Sequence, residues 1–382
     1  MSRSRAWVEV NLDYLLHNVD VIRSTIPRET NIMAVVKADA YGHGLDQTAK
    51  SLFGAGVTNF AVATLNEAVQ LRNLLPFVDI LILGLTSPDE AMTLSRLRLI
   101  QSVFSPTYTR ALAKAAEKAG VRLQVEIKVD TGMNRMGYAY LDTDHIKGIF
   151  SYTQLHVHGI YSHLSVADSL DPIDVETTNV QVARFNQCLG ALRDYPYGKT
   201  HLQNSGGIMN HSHLTYDFVR PGIMLFGIPS GEVREIGLKP VMELKARVSM
   251  IKTVPTDEWI GYGRTCQFNT PRRIATVSIG YADGYPRAVS GKRAPILIKG
   301  QFADQVGNVC MDQLMMDVTD IDGIKSGDQV VLIGTSHDKA ISMNTMATLA
   351  QTITNDLACS LSSRVCRYYH STSSKKDVEP VV

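Results

Sequence analysis

The chain has 382 residues and a formal net charge of +1, with 45% hydrophobic and 20% charged residues. That balance excludes a disordered or fibrous chain and provides a large core for two or three domains. Near-neutral charge leaves no electrostatic footprint for nucleic acid or an acidic membrane, and no run approaches the roughly 20 apolar residues of a membrane span. Five cysteines, Cys188, Cys266, Cys310, Cys359 and Cys366, are scattered without a Cys-x-x-Cys pair. They predict free thiols in a reducing compartment. No apolar signal segment precedes Trp7, so a soluble cytoplasmic protein is expected, with a membrane segment outside these residues left open.

From residue 30 to 220, short apolar runs alternate with longer amphipathic stretches. The predicted strands are Ile32–Val36, Asn59–Ala63, Asp79–Leu83, Leu99–Phe104, Leu123–Val129, Leu155–Tyr161, Thr200–Gln203 and Asp217–Val219. Between them, stretches such as His43–Leu52, Leu65–Leu75, Tyr108–Ala119 and Val180–Arg193 repeat apolar residues at three and four positions. Helices covering a sheet show that spacing. Buried strands alternating with helices imply a parallel sheet, and eight such units predict a (β/α)8 TIM-type barrel over residues 1–235. After the connector near Pro229–Pro240 the pattern alternates instead, in Met242–Thr253, Arg272–Ile279, Pro295–Lys299, Val306–Val318 and Gln329–Ile333. A mainly β domain is expected over 236–382, with one helix at Met343–Gln351, a last strand near Val365–Tyr369 and a frayed end from Ser371.

A barrel carries its chemistry at the carboxyl ends of its strands. The first strand ends at Lys37, whose ammonium, poorly hydrated there, is expected to shift toward the nucleophilic free amine. On spacing alone it reads equally as a Schiff-base lysine or as a snorkelling strand-end cation. The fifth strand supplies Lys128 and the loop that reaches Arg135. The sixth supplies His163, the seventh His201, Asn204 and Ser205, and the eighth Arg220, Gly222 and Ile223. Cations, hydroxyls and glycines converge on one rim with few carboxylates, which suits an anionic ligand and not a metal.

The segments VVKADAYGHG, KVDTGMNRMG, SHL, QNSGG, RPGI, SIGYADGYPR and GNVCMDQ, in that order, resemble the alanine racemase family over nearly the whole chain. The resemblance implies a pyridoxal 5'-phosphate enzyme that racemises alanine and so supplies D-alanine for cell-wall peptidoglycan. It implies that Lys37 holds the cofactor covalently and acts as one of two bases. Tyr41, Ser205, Gly222 and Ile223 would hold the phosphate, with Asn204 and His163 beside the cofactor and Arg220 facing its ring nitrogen. A guanidinium keeps its proton, so the ring would remain a weaker electron sink, favouring reprotonation over transamination. Arg135 would orient the substrate carboxylate, and Lys128 matches a position that carries a carbamate in the family. Tyr281 matches the second base, assisted by His163 and, further back, Arg220 and His201. In the family that tyrosine comes from a partner subunit, as do the residues matched by Cys310, Met311 and Asp312. A homodimer with shared sites is therefore expected.

Two positions depart from the family pattern. Where it reads Ser-Tyr-Arg-Val, this chain reads Ser362-Ser363-Arg364-Val365, and Asn308 stands where arginine is common. A hydroxymethyl group at Ser363 removes a phosphate donor and opens volume beside the substrate methyl. Excluding an added hydroxyl is a weak discrimination, so a serine or mixed alanine/serine racemase is the alternative. Rivals of other classes are a non-catalytic pyridoxal phosphate carrier and a barrel decarboxylase. The β domain with Tyr281 argues against the first, and Arg135 pinning the carboxylate against the second.

Overall fold

The computed structural model describes residues 4–229, 231, 233–371 and 378–381. The chain opens with β1 (Ala6–Asn11) and the helix Leu12–Thr25. It then runs through β2 (Asn31–Val35), β3 (Asn59–Val62), β4 (Asp79–Ile82), β5 (Ile100–Val103), β6 (Leu123–Asp130), the short β7 (Tyr138–Ala139), β8 (Leu155–Tyr161), β9 (Lys199–His201) and β10 (Phe218–Val219). Apart from β7, the strands β2 to β10 pair in parallel with their neighbours, β5 joins β6, and β10 returns to β2. The result is a closed eight-stranded barrel, as the alternating pattern predicts. Its strands are buried on both faces, which is why they read as unbroken apolar runs.

The covering helices begin and end where local chemistry dictates. Leu65–Leu74 starts with a reciprocal cap between Thr64 and Glu67, and Pro106–Ala119 is capped by Ser105 and stopped by Gly120 in the left-handed region. The helix expected at Val180–Arg193 is longer, Pro172–Ala191, because Asp171 caps it and a proline occupies its first turn.

The second sheet comprises β11 (Met242–Val254), β12 (Arg272–Val277), β13 (Pro295–Ile298), β14 (Gln301–Val306), β15 (Leu314–Asp317), β16 (Gln329–Ser336), β17 (Lys339–Ile341), β18 (Cys366–His370) and β19 (Val378–Val381). β11 pairs with β12, β1 and also β16, so β11, β12, β15, β14, β13 and β16 close on themselves. Helices Met343–Ala350 and Thr354–Ser360 lead back toward the first barrel. Among the described residues no helix is long and apolar enough to cross a membrane.

Three expectations change. The span 1–235 begins with β1, which lies in the second sheet between β11 and β18. Trp7, Val8 and Val10 are buried there, so the (β/α)8 barrel is inserted between two strands of the other domain. The single run Val306–Val318 is two strands, because Gly307 turns in the left-handed region and the following loop carries Asn308 to Asp312. The frayed end expected from Ser371 is in part a strand, since β19 pairs with β18; residues 372–377 and 382 lie outside the described residues.

Candidate active site

Lys37 follows β2, whose residues from Ile32 to Val35 are all buried. The chain then makes a left-handed turn through four residues that are not glycine: Ala38, Asp39, Ala40 and Tyr41 have φ of 53°, 52°, 53° and 54°. Such backbone costs roughly 1–2 kcal/mol per L-residue and persists only where its surroundings over-determine it. The Ala38 N–H donates to Glu67 Oε1 at 2.7 Å and the Leu45 N–H to Asp39 Oδ1 at 2.7 Å. From the other domain, Arg367 Nε donates to the Gly42 carbonyl and the Tyr369 hydroxyl to the His43 carbonyl, both at 3.1 Å. The His43 ring stacks on Phe226 with centroids 4.0 Å apart. Both domains therefore hold the backbone that aims Lys37. Burial, and secondarily Arg135, lowers the Lys37 pKa, favouring the free amine.

Lys37 opens onto a cavity of about 610 Å³ shared with Tyr41, Lys128, Arg135, His163, Ser205 and Arg220. Arg220, just after β10, is buried and fully engaged through its two terminal nitrogens. Nη1 donates to His201 Nδ1 at 2.6 Å; Nη2 donates to the Ser162 and Leu202 carbonyls at 2.6 and 3.0 Å and faces His163 Nδ1 at 3.3 Å. An arginine only donates, so both histidine Nδ1 atoms accept and both rings carry their proton on Nε2. Burial followed by the Arg220 charge pushes the His163 pKa well below its ordinary value, in keeping with a neutral ring. Desolvation lowers Arg220 itself to about 10, still charged at neutral pH. The guanidinium and the Lys128 ammonium both stand over the Tyr161 ring, at 5.2 and 5.1 Å.

One corner of the cavity is built for close approach. Ser205 Oγ accepts from the Gly222 N–H at 3.1 Å and from the Met224 N–H at 3.4 Å. A Cβ at Gly222 would stand 2.4 Å from the Tyr41 hydroxyl, so only glycine lets the two meet. Ile223 is buried beside them and lines the cavity. Asn204 also lines it, but its side chain is committed to its own turn, accepting from Gly207 N at 3.0 Å and donating to the Leu164 carbonyl at 3.2 Å.

After β6, Asp130 Oδ1 accepts from the N–H groups of Gly132 and Asn134, folding the loop that brings Arg135 to the cavity. Lys128 Nζ donates to the Val129 carbonyl at 3.1 Å. Burial, then Arg220, lowers its pKa to about 7.

The remaining predicted residues lie apart, on loops of the second domain. The Tyr281 N–H donates to the Cys310 carbonyl and the Ala282 N–H to the Met311 carbonyl, each at 3.0 Å. Asp283 is buried and pinned by Arg5 at 2.6 Å, while Arg364 pairs with Asp312 at 2.5 Å. Asn308 donates to the Tyr262 carbonyl at 2.8 Å. Within one chain neither Tyr281, Cys310, Met311 nor Asp312 lines the Lys37 cavity, and the same holds for Asn308 and for the exposed Ser363. Tyr281 and Met311 are 40% and 53% exposed.

Sequence reasoning missed Glu67, Glu126, Tyr161 and Arg367. Glu126 did leave a signal: a lone carboxylate between Val125 and Ile127 in a strand buried on both faces demands an internal partner.

Two family models match this chain, "Alanine racemase, N-terminal domain" over residues 10–230 and "Alanine racemase, C-terminal domain" over 241–369. An alanine racemase of Clostridium novyi is 39% identical over 371 residues, 95% of each chain. A serine/alanine racemase of Enterococcus gallinarum is also 39% identical, over 94% of this chain. The chain spans 51% of that protein and 51% of a 37% identical amino-acid racemase of Enterococcus faecalis. Among solved structures, an alanine racemase of Clostridium difficile superposes with a TM-score of 0.91 at 31% identity, covering 99% of this chain and 98% of that one.

Proposed function

The chain belongs to the alanine racemase family, and we propose that it interconverts L- and D-alanine with pyridoxal 5'-phosphate held at the barrel mouth. The observation that carries this reading is the meeting, in one cavity, of a lysine shifted toward its free amine with an arginine locked between two neutral histidines. The cavity fits the cofactor. Tyr41, Ser205 and the backbone at Gly222 and Ile223 suit the phosphate, since a Cβ at Gly222 would fill the cradle. Lys37 suits the aldehyde and Arg220 the ring nitrogen. When bound, the cofactor supplies an electron sink that acidifies the substrate Cα–H.

The chain's own groups do the rest. Arg135 fixes the substrate carboxylate, which leaves the Cα–H the bond to be broken. Lys37 Nζ takes or returns the Cα proton on one face. The phenol of Tyr281 does so on the other, and its rigid, half-exposed loop supports a site completed by a second copy of the chain. His163 carries its proton on Nε2, so it can donate to that phenol oxygen and favour the phenolate. Lys128, with a pKa near 7, offers free amine at neutral pH. Carbon dioxide would convert it to a carbamate and release a proton, giving Arg135 an anionic partner in place of a repelling cation.

The test is incubation with L-alanine and pyridoxal phosphate in deuterated water. D-Alanine deuterated at Cα is expected. Absence of Cα exchange would sink the proposal in favour of a carrier, and carbon dioxide release would favour a decarboxylase. A second reading, a serine or alanine/serine racemase, is favoured by the Enterococcus gallinarum relative.

A further inference from the structure

We infer that Glu126, sealed inside the barrel, is the counter-charge of Arg220 and fixes its aim at the cofactor through a neutral His201. Glu126 is thereby a positioning residue for the reaction. This rests on the function proposed above.

The connection is continuous. Glu126 Oε2 lies 2.7 Å from His201 Nε2, and His201 Nδ1 lies 2.6 Å from Arg220 Nη1. Neither the Glu126 nor the His201 side chain is exposed at all. Because Arg220 can only donate, Nδ1 must accept, so the single ring proton sits on Nε2 and points at the carboxylate. The imidazole stays neutral and passes polarisation from anion to cation without itself being charged. Burial alone pushes the Glu126 carboxyl up, yet the His201 and His158 ring nitrogens that face it, at 2.7 and 3.3 Å, outweigh burial and hold it below its usual range. The carboxylate is therefore ionised.

Charge in the cavity makes this anion necessary. Arg220 and Arg135 are lasting cations there, and together with Lys128 and Lys37 in their ammonium forms they depress the His163 pKa. Among the described residues Arg220 makes no direct ion pair with any carboxylate, and Glu126 is the only carboxylate that raises its pKa. A buried cation without an anion is expensive. The neutral relay supplies one without placing a carboxylate against an anionic cofactor.

The fold makes room for this arrangement. β6 and β8 run in register until Val125 faces Val157; Glu126 then faces Gly159, leaving His158 as an extra residue. A bulge of this kind re-aims a side chain, and His158 Nδ1 comes 3.3 Å from Glu126 Oε1. Opposite, a Cβ at Gly159 would stand 3.1 Å from the Glu126 carboxyl. Tyr161 stacks on His201 with centroids 4.7 Å apart and an interplanar angle of 6°, so the ring cannot turn away.

The experiment compares the holoenzyme with Glu126→Gln, which keeps an acceptor but loses the charge, and with Glu126→Met, which loses both. Nitrogen-15 NMR of the His201 ring should find one proton on Nε2 in the unaltered chain, and a shifted Nε2 resonance in Glu126→Met, where that N–H loses its carboxylate acceptor. Pyridoxal phosphate affinity should fall by roughly tenfold or more in Glu126→Met and less in Glu126→Gln, the scale of one charge-assisted hydrogen bond. The absorbance band of the bound cofactor should shift in both. A doubly protonated or Nδ1-protonated His201 in the unaltered chain overturns the inference, even if neither variant folds. Folded variants with unchanged affinity and absorbance overturn it too. An unaltered chain that binds no pyridoxal phosphate refutes the functional reading instead, and the ring measurement remains decisive.

Discussion

The barrel mouth and the Tyr281 loops are both rigidly held, yet they end differently. At the mouth, side chains satisfy one another: Arg220 is shared among two histidines and two carbonyls, and Ser205 among two backbone N–H groups. On the Tyr281 loops it is the backbone that is tied down, through Cys310, Met311 and the buried Asp283. The side chains there, Tyr281 and Met311, project into solvent. Fixing a backbone while leaving an aromatic and a thioether half-exposed makes sense for a surface that finds its complement elsewhere. One region is an interior whose polar groups are satisfied within the chain; the other, on the function proposed, would be half of an interface.

The most drastic way to break that contrast is to separate the two bases. Lys37→Ala and Tyr281→Phe should each lower racemisation by about 100-fold or more, the scale of losing a positioned acid or base. If each site takes Lys37 from one chain and Tyr281 from another, mixing the two inactive proteins regenerates one intact site per mixed dimer. Random exchange should then recover about a quarter of unaltered activity. Subunit exchange that is demonstrated by mass yet restores nothing would place both bases in one chain.

The same contrast governs how much was legible beforehand. Barrel strands such as Ile80–Ile82 are covered on both faces and announce themselves as apolar runs. β1 has equally buried residues, but its partners in β11 and β18 lie more than two hundred residues away, and no local pattern carries that pairing. The Ala38–Tyr41 turn was invisible because its residues are not those that favour left-handed backbone; tertiary contacts from Glu67, Arg367 and Tyr369 impose it. Lys37 and Arg220 could be read because strand ends can be located. Glu126 and Arg367 act from within strands, where position along the chain says nothing of which way they serve the site.

Lys128 sharpens the description of the mouth. Burial and Arg220 bring its pKa to about 7, with Asp130 opposing and Arg135 reinforcing the shift. Below that value the ammonium form dominates and cannot take up carbon dioxide; above it the free amine can. Carbon-13 bicarbonate should therefore give a carbamate resonance near pH 8 that fades as pH falls through about 7, and that Lys128→Arg abolishes. A resonance unchanged between pH 6 and 8, or one surviving in Lys128→Arg, would rule Lys128 out as the carbamate site.

Asn355 tests the border between the two regions, and the expected effect is the smallest. It stands in the second domain's helix Thr354–Ser360 and lines the Lys37 cavity, whereas Ser363 is exposed and does not. Asn355→Tyr would add bulk and a hydroxyl donor to the cavity wall without touching Lys37, Arg220 or Tyr281. Because rejecting one extra hydroxyl is worth only about 1–3 kcal/mol even in a tight pocket, the change should appear as a ratio and not as lost activity. The serine-to-alanine quotient of kcat/KM should drop by roughly tenfold, with alanine turnover nearly unchanged. An unaltered quotient would mean that substrate size is limited elsewhere, with Met311 and Asn308, on the loops proposed to come from a second copy, the next positions to vary.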